Sequence, residues 1–233
     1  MIFERYKLLG PEIPFHCSRR SSKAMMSASV LSLVYRSKLK EYNDRLAELK
    51  DPKVVYVTDL VACSNKRFFR LQFPELTFRF EPILILGDLI HKGLELFLTS
   101  EGYEVEKEVE EKYSVKGVDY VLKGRIDAFN ARDSVVIEVK FSRTSQGVPH
   151  EHHVLQLQIY LNLLKAENGA LIYVTPDRIL EYQIKNQSID VEALIKETVE
   201  NIVHPRWSWE CRYCYFNRMC PYKKEEELSK DAT

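Results

Sequence analysis

Apolar and polar positions change rhythm along this chain, and the changes mark its elements. From Ser21 to Leu49 the apolar residues Met25, Val30, Leu33, Val34, Leu46 and Leu49 recur at helical spacing among charges, and Pro52 ends the pattern. The β-branched run Val54-Val55-Tyr56-Val57 reads as a strand. Thr58-Asp59 offers an N-cap for a second helix carrying Cys63. Ile83 to Leu98 is helical again, with Ile83, Leu86, Ile90, Leu94 and Phe97 on one stripe. From Tyr103 the period shortens to two. Tyr103–Val115, Val118–Asn130 and Ser134–Phe141 read as strands, joined by turns at Lys116-Gly117 and Ala131-Arg132-Asp133. A helix from Pro149 to about Ala166, strands at Ala170–Val174 and Ile179–Ile184, and a helix from Asp190 to before Pro205 complete an α/β pattern with a mixed sheet.

Alternation places side chains as well as elements. In Ser134–Phe141 the residues Val135, Ile137, Val139 and Phe141 share an apolar face, so Glu138 and Lys140 share the other. In the preceding strand Leu122, Gly124, Ile126 and Ala128 lie on one side and Lys123, Arg125 and Asp127 on the opposite one. Two adjacent strands therefore bring Asp127, Glu138 and Lys140 to one patch, a D-x10-E-x-K arrangement. Two carboxylates suit Mg²⁺ or Mn²⁺, which prefer oxygen ligands. Such a cation polarises a phosphodiester and activates water, and a lysine alongside stabilises developing charge. Taken alone, Glu138-Val139-Lys140 reads equally well as a surface ion pair. Gly87 stands one helical turn before His91 and would open room above its ring. Gln156 and Tyr160 share a face of the following helix, with His153 a turn earlier.

Composition narrows the reading. Lys+Arg and Asp+Glu both number 34, so the formal net charge is zero and any polyanion must be held in a local groove rather than by the whole surface. The N-terminus has no secretory pattern and the most apolar stretch, Ile83–Leu86, is too short to span a bilayer, which points to a cytoplasmic protein with no membrane contact. Five unevenly spaced cysteines argue for metal or redox chemistry over a disulfide framework. Cys211, Cys214 and Cys220 cluster near the C-terminus, and Cys63 lies far upstream. Thiolates so spaced bind zinc or an iron–sulfur cluster, and a ligand set with one member before the core and three after it closes a ring around the domain. Lys66, Arg67 and Arg70, interleaved with Phe68 and Phe69, read either as a phosphate grip with stacking rings or as an ordinary amphipathic helix. Arg125 adds a further candidate cation.

The ordered set Gly87-x3-His91, Gly124-Arg125-Ile126-Asp127, Glu138-Val139-Lys140 and Gln156-x3-Tyr160 resembles the motifs of RecB-like nucleases of the PD-(D/E)XK superfamily. The cysteine bracket, with Asp59-Leu60-Val61-Ala62-Cys63 ahead of Lys66-Arg67-Phe68-Phe69-Arg70, is similar to that of the CRISPR-associated iron–sulfur members, the fourth Cas protein family. Two positions depart from the usual pattern: Ile126 replaces a proline before the first acid, and Ser64 replaces a proline after the first cysteine. The resemblance implies a single RecB-like domain over residues 1–233, with a core of a mixed four-stranded sheet flanked by helices at about 76–185. A helical part at about 1–75 and a C-terminal part at about 186–233 would carry the cluster. It implies metal binding by His91, Asp127, Glu138 and the Val139 carbonyl, catalysis by Lys140, and assistance from Gln156 and Tyr160. Cys63, Cys211, Cys214 and Cys220 would hold a [4Fe–4S] cluster, with [2Fe–2S] or zinc as alternatives, while Cys17 matches no position. The implied activity is 5′ to 3′ trimming of single-stranded DNA, with endonuclease activity and homo-oligomers also open. The implied setting is CRISPR spacer-precursor processing with the Cas integrase. A repair or viral nuclease and a non-catalytic DNA-binding assembly subunit are the competing readings.

Overall fold

The computed structural model describes residues 29–224. Two units are distinguished, Met1–Glu41 and Tyr42–Thr233. The first is described only from residue 29, where helix α1 (Val30–Leu49) begins; the earlier part of the expected helix, from Ser21, and Cys17 lie outside the described residues. Thereafter come β1 (Val54–Tyr56), the single turn α2 (Val57–Leu60), α3 (Ser64–Gln72), a 3-10 turn at Pro74–Thr77 and α4 (Pro82–Ser100). Strands β2 (Glu104–Val115), β3 (Val118–Asn130) and β4 (Val135–Phe141) follow, then α5 (Glu151–Leu164), β5 (Asn168–Val174), β6 (Ile179–Lys185), α6 (Val191–Val199) and α7 (Glu210–Tyr213).

The six strands among the described residues join one mixed sheet, two more than the core that the resemblance implied. β4 and β5 run parallel, β6 closes one edge antiparallel to β5, and the β2–β3 hairpin lies at the other end. The turn between β2 and β3 needs positive φ at Lys116 and Gly117, +52° and +77°, the geometry of a tight hairpin. β2 follows one edge of β3 through nearly its whole length, so β1 and β4 must share the other edge. β1 takes Val121–Lys123 and β4 takes Ala128–Asn130, which leaves Gly124–Asp127 between them without a strand partner on that side.

Helices cover both faces. Val57 and Leu60 of α2, Leu157, Tyr160 and Leu161 of α5, and Val191 and Ile195 of α6 pack with Leu122, Ile126 and Val136 in the main core. On the opposite face Ile90, Leu94 and Leu98 of α4 pack on Ala128, Ile137 and Val139. The stripe expected on α4 is thus shifted, with Leu86 and Phe97 exposed and Leu98 inward. Ile126 belongs to one face and Ala128, two residues on, to the other, so the alternation of β3 breaks at Asp127. Level with Asp127 on β2 stands Glu106, a non-glycine residue at φ +50°.

The second helix starts differently from the expected Asp59 cap. Asp59 accepts the Tyr56 N–H at 2.9 Å, closing the one-turn α2, and Cys63 stands at the N-cap of α3 rather than within a helix. α6 starts as expected, with the Asp190 carboxylate accepting the Ala193 N–H at 2.9 Å. No helix among the described residues is long and apolar enough to cross a membrane.

At Gly124 side chains of α5, α2 and β2 close tightly on β3. A Cβ there would lie 2.6 Å from Tyr160 Cε1, 2.9 Å from Val57 Cγ2 and 3.2 Å from Val109 Cγ2. Gly124→Ala is expected to destabilise the chain by about 1–3 kcal/mol through overpacking. Gly93→Ala, within α4 and with nothing within 4 Å of its Cβ, is expected to be neutral or stabilising by up to about 1 kcal/mol. Equal denaturant midpoints for the two variants would contradict this packing.

Candidate active site

The unpartnered interval of β3 holds the chemistry. Beyond the Ala128–Ile137 pair the ladder between β3 and β4 stops, and the Asp127 side chain takes over: its Oδ2 accepts the Val139 backbone N–H at 2.7 Å. Asp127 Oδ1 lies 3.2 Å from His91 Nδ1, so the carboxylate spans from β4 to α4. Nearby, Tyr160 donates its hydroxyl to the Arg125 carbonyl at 3.1 Å, satisfying a backbone acceptor in the same interval. The clearance at Gly124 is what admits the Tyr160 ring. Gly87 has no such role at His91, because a Cβ on it would meet Phe141 Cβ at an ordinary 3.9 Å.

Glu138 is 2% exposed, which rules out the surface ion-pair reading of Glu138-Val139-Lys140. Its Oε1 is 2.5 Å from Lys140 Nζ and accepts the Gln156 amide at 2.8 Å. Lys140 also donates to Gln156 Oε1 at 3.0 Å, so the three side chains close a triangle. Glu138 Oε2 is buried with no hydrogen-bond partner. A buried, unsatisfied carboxylate oxygen is costly, and coordination to a cation would satisfy it. Burial pushes the Glu138 carboxyl up, against the pull of Lys140, to about 7. Burial also lowers His91, but the Asp127 carboxylate beside it more than offsets this and leaves the imidazole above its ordinary pKa.

The expected residues therefore meet, though by a different route. Alternation had placed Asp127, Glu138 and Lys140 on one open face. Instead Glu138 turns toward α5, His91 reaches in from α4, and Asp127 joins them where β3 changes face. The donors suit a hard divalent cation: two carboxylates, an imidazole and the backbone of Val139. Among the described residues no three His, Cys, Asp or Glu side chains form a finished cage, since Asp127 is turned to a backbone N–H and Glu138 to Lys140 and Gln156. The sequence reading missed Glu95, one turn after His91, and Glu106. Burial and the neighbouring Glu106 carboxylate push Glu95 up, so two further acids rim the site.

The basic helix differs from expectation. Arg67 is buried and donates to the carbonyls of Pro52 and, at 3.5 Å, Val54. Arg70, also buried, binds the Leu49 carbonyl at 2.8 Å and Asp59 at 2.7 Å. Both guanidinium groups tie α3 to the backbone around β1 and are not presented to a phosphate. Lys66 pairs with the buried Glu210 at 2.9 Å. Of the four expected DNA cations Arg125 has the most exposed side chain, and it pairs with Glu106 at 2.8 Å.

Cys63, Cys211, Cys214 and Cys220, all free thiols, line one pocket together with Lys66, His204 and Glu210. They do not converge as a finished metal cage. Burial pushes the Cys63 thiol up to about 11 and also raises Cys214, so ligation there must displace protons. Glu210, absent from the sequence reading, holds the two ends together. Its Oε1 accepts the Cys63 N–H at 2.9 Å and the Lys66 ammonium at 2.9 Å. Its Oε2 accepts the N–H groups of Arg206 and Trp207 at 2.8 and 3.1 Å. The Trp207 indole donates to the Val61 carbonyl at 2.8 Å, and the Ser64 N–H reaches Val203 at 2.8 Å.

In the metal-free protein Glu138 holds its proton more tightly folded than unfolded. Its contribution to stability is present below pH 4.5 and is lost as pH rises through about 7. A divalent cation held at Glu138 would replace that proton. Mn²⁺ is accordingly expected to raise the unfolding midpoint more at pH 8 than at pH 6, and Glu138→Gln should blunt the rise. Equal Mn²⁺ shifts at both pH values would contradict the assignment.

A family model for the PD-(D/E)XK nuclease superfamily matches residues 98–221. The chain is 41% identical over 194 residues to the CRISPR-associated exonuclease Cas4 of Saccharolobus solfataricus, covering 79% of this chain and 95% of that protein. Its fold is similar to the crystal structure of SSO0001, at TM-score 0.76 and 39% identity, over 83% of this chain and 98% of that one.

Proposed function

The chain belongs to the Cas4 exonuclease family within the PD-(D/E)XK nuclease superfamily, and from that membership we propose that it is a divalent-metal-dependent exonuclease of single-stranded DNA. The observation that carries this reading is the buried Glu138, with one oxygen unpartnered, beside Asp127, His91 and Lys140. Asp127, Glu138, His91 and the Val139 carbonyl are the residues that would hold Mn²⁺ or Mg²⁺. Such a cation supplies Lewis-acid activation of a phosphodiester and of water.

The chain's own groups do the rest. Lys140, fixed by Glu138 and Gln156, presents an ammonium beside the reacting phosphate and offsets its growing negative charge. Gln156 orients that lysine, and Tyr160 keeps the β3 backbone in place behind Asp127. A non-catalytic subunit would have no use for a buried carboxylate held against a half-buried lysine, which favours the enzyme reading. The biological setting we assign is CRISPR adaptation, trimming spacer precursors 5′ to 3′ in the cytoplasm with the Cas integrase. A [4Fe–4S] cluster on Cys63, Cys211, Cys214 and Cys220 fits the four thiols that line one pocket.

Single strands labelled at the 5′ or the 3′ end, incubated with Mn²⁺, are expected to shorten from the 5′ end. Lys140→Ala and Asp127→Asn, which keeps an oxygen for the Val139 N–H, should each slow cleavage by on the order of 10²-fold or more while remaining folded. Wild-type protein that leaves both substrates intact would sink the nuclease reading. Anaerobically purified protein should be brown, with visible absorbance that bleaches on reduction, and Cys214→Ala should lose both colour and solubility. Colourless protein with stoichiometric zinc would overturn the iron–sulfur assignment.

A further inference from the structure

With Arg67 and Arg70 buried and Lys66 held by Glu210, the α3 helix does not supply the DNA grip that its sequence suggested. A different surface adjoins the active site. His152 and His153 form the first turn of α5, one turn before Gln156, which binds both Glu138 and Lys140. His153 is drawn inward, its Nδ1 2.7 Å from the Tyr173 hydroxyl. His152 leads outward: its ring lies 4.9 Å from that of Trp209, and Trp209 lies 6.4 Å from Tyr213. His150 stacks on His152 at 5.5 Å and 18°. The Arg212 guanidinium sits over the Tyr213 ring at 5.5 Å.

We propose that a single DNA strand bound at the nuclease site continues past His152 and across the rings of Trp209 and Tyr213, its bases lying on these two exposed aromatic faces. The proposal rests on the nuclease reading for its choice of ligand and on geometry for its location.

Three observations support it. Trp209 and Tyr213 are 37% and 67% exposed, so their rings are not fully used in packing, whereas the neighbouring Trp207 is anchored through its indole N–H to Val61. The run is continuous with the catalytic triangle through a single helical turn of α5. Stacking on aromatic faces is tolerant of sequence, as an end-trimming enzyme requires. Burial, with His150 next to it, holds His152 down to about 4, so the ring is neutral near pH 7 and packs as an aromatic support behind Trp209.

The test uses the full wild-type chain without divalent cations and an oligothymidine carrying one 5-iodouracil. Irradiation should yield adducts that map to Trp209 or Tyr213. Adducts confined to other aromatic residues, such as Phe68 or Tyr215, or none at all, would overturn the proposal. Trp209→Ala and Tyr213→Ala should each weaken oligothymidine binding by about fivefold or more, whereas Tyr213→Phe keeps it. In the Mn²⁺ assay the alanine variants should raise KM with kcat little changed, and unaltered binding and KM would also overturn the proposal. Crosslinking at Trp209 or Tyr213 in a protein that cleaves no DNA would sink the nuclease reading and leave this strand path standing. Cleavage with adducts only elsewhere would do the reverse.

Discussion

One hydrogen bond organises the catalytic end of the sheet: the Asp127 carboxylate accepts the Val139 N–H in place of the next rung of the β3–β4 ladder. A strand edge left open in a protein interior must be satisfied, and here a side chain does it. Because Asp127 fills that role, β3 can part from β4 while β1 holds its other end. The parted interval takes the Tyr160 hydroxyl on the Arg125 carbonyl and needs a glycine at position 124. The residue proposed to bind the metal is thus also a structural strut. The carboxylate that would coordinate the cation already has one oxygen committed to the backbone, which limits how it can turn.

Glu138 shows the opposing constraint. Burial favours its protonated form, and Lys140 and Gln156 favour the charged one. The balance leaves it near 7, poised between proton and cation. Opening the site to water would remove that poise, so the helices on both faces of β4 contribute to the chemistry as well as to the core.

Much of this was legible in the sequence because periodicity reports burial. β3 matches its expected bounds and β2, β4, β5 and β6 lie within two residues of theirs. The members of the candidate site were legible in part: strand parity brought Asp127, Glu138 and Lys140 together, whereas Gln156 and Tyr160 gained meaning only from the ordered set of motifs. Their arrangement was not. Strict alternation fails at Asp127, where Ile126 and Ala128 face different layers and Glu106 adopts positive φ, and no residue type announces that break. Arg67 and Arg70 misled for a related reason. A guanidinium serves carbonyls as readily as phosphates, and only the course of the chain around β1 decides which. Glu210 carried no signal, because its four donors come from segments far apart in the sequence.

The Glu210 junction also sets an order in time. Cys63 and its partner carboxylate are 147 positions apart. At about 5–20 residues per second, the ribosome needs on the order of ten seconds or more to span that interval. During it the strands of the sheet emerge and can pair, while α3 lacks Phe216, against which Phe69 packs at 5.2 Å. The emerging chain therefore carries an unfinished α3 until the segment around Glu210 and Phe216 arrives. Cys63 thus meets Cys211, Cys214 and Cys220 in their shared pocket only after the sheet between them has emerged, so this junction is assembled from the middle outward.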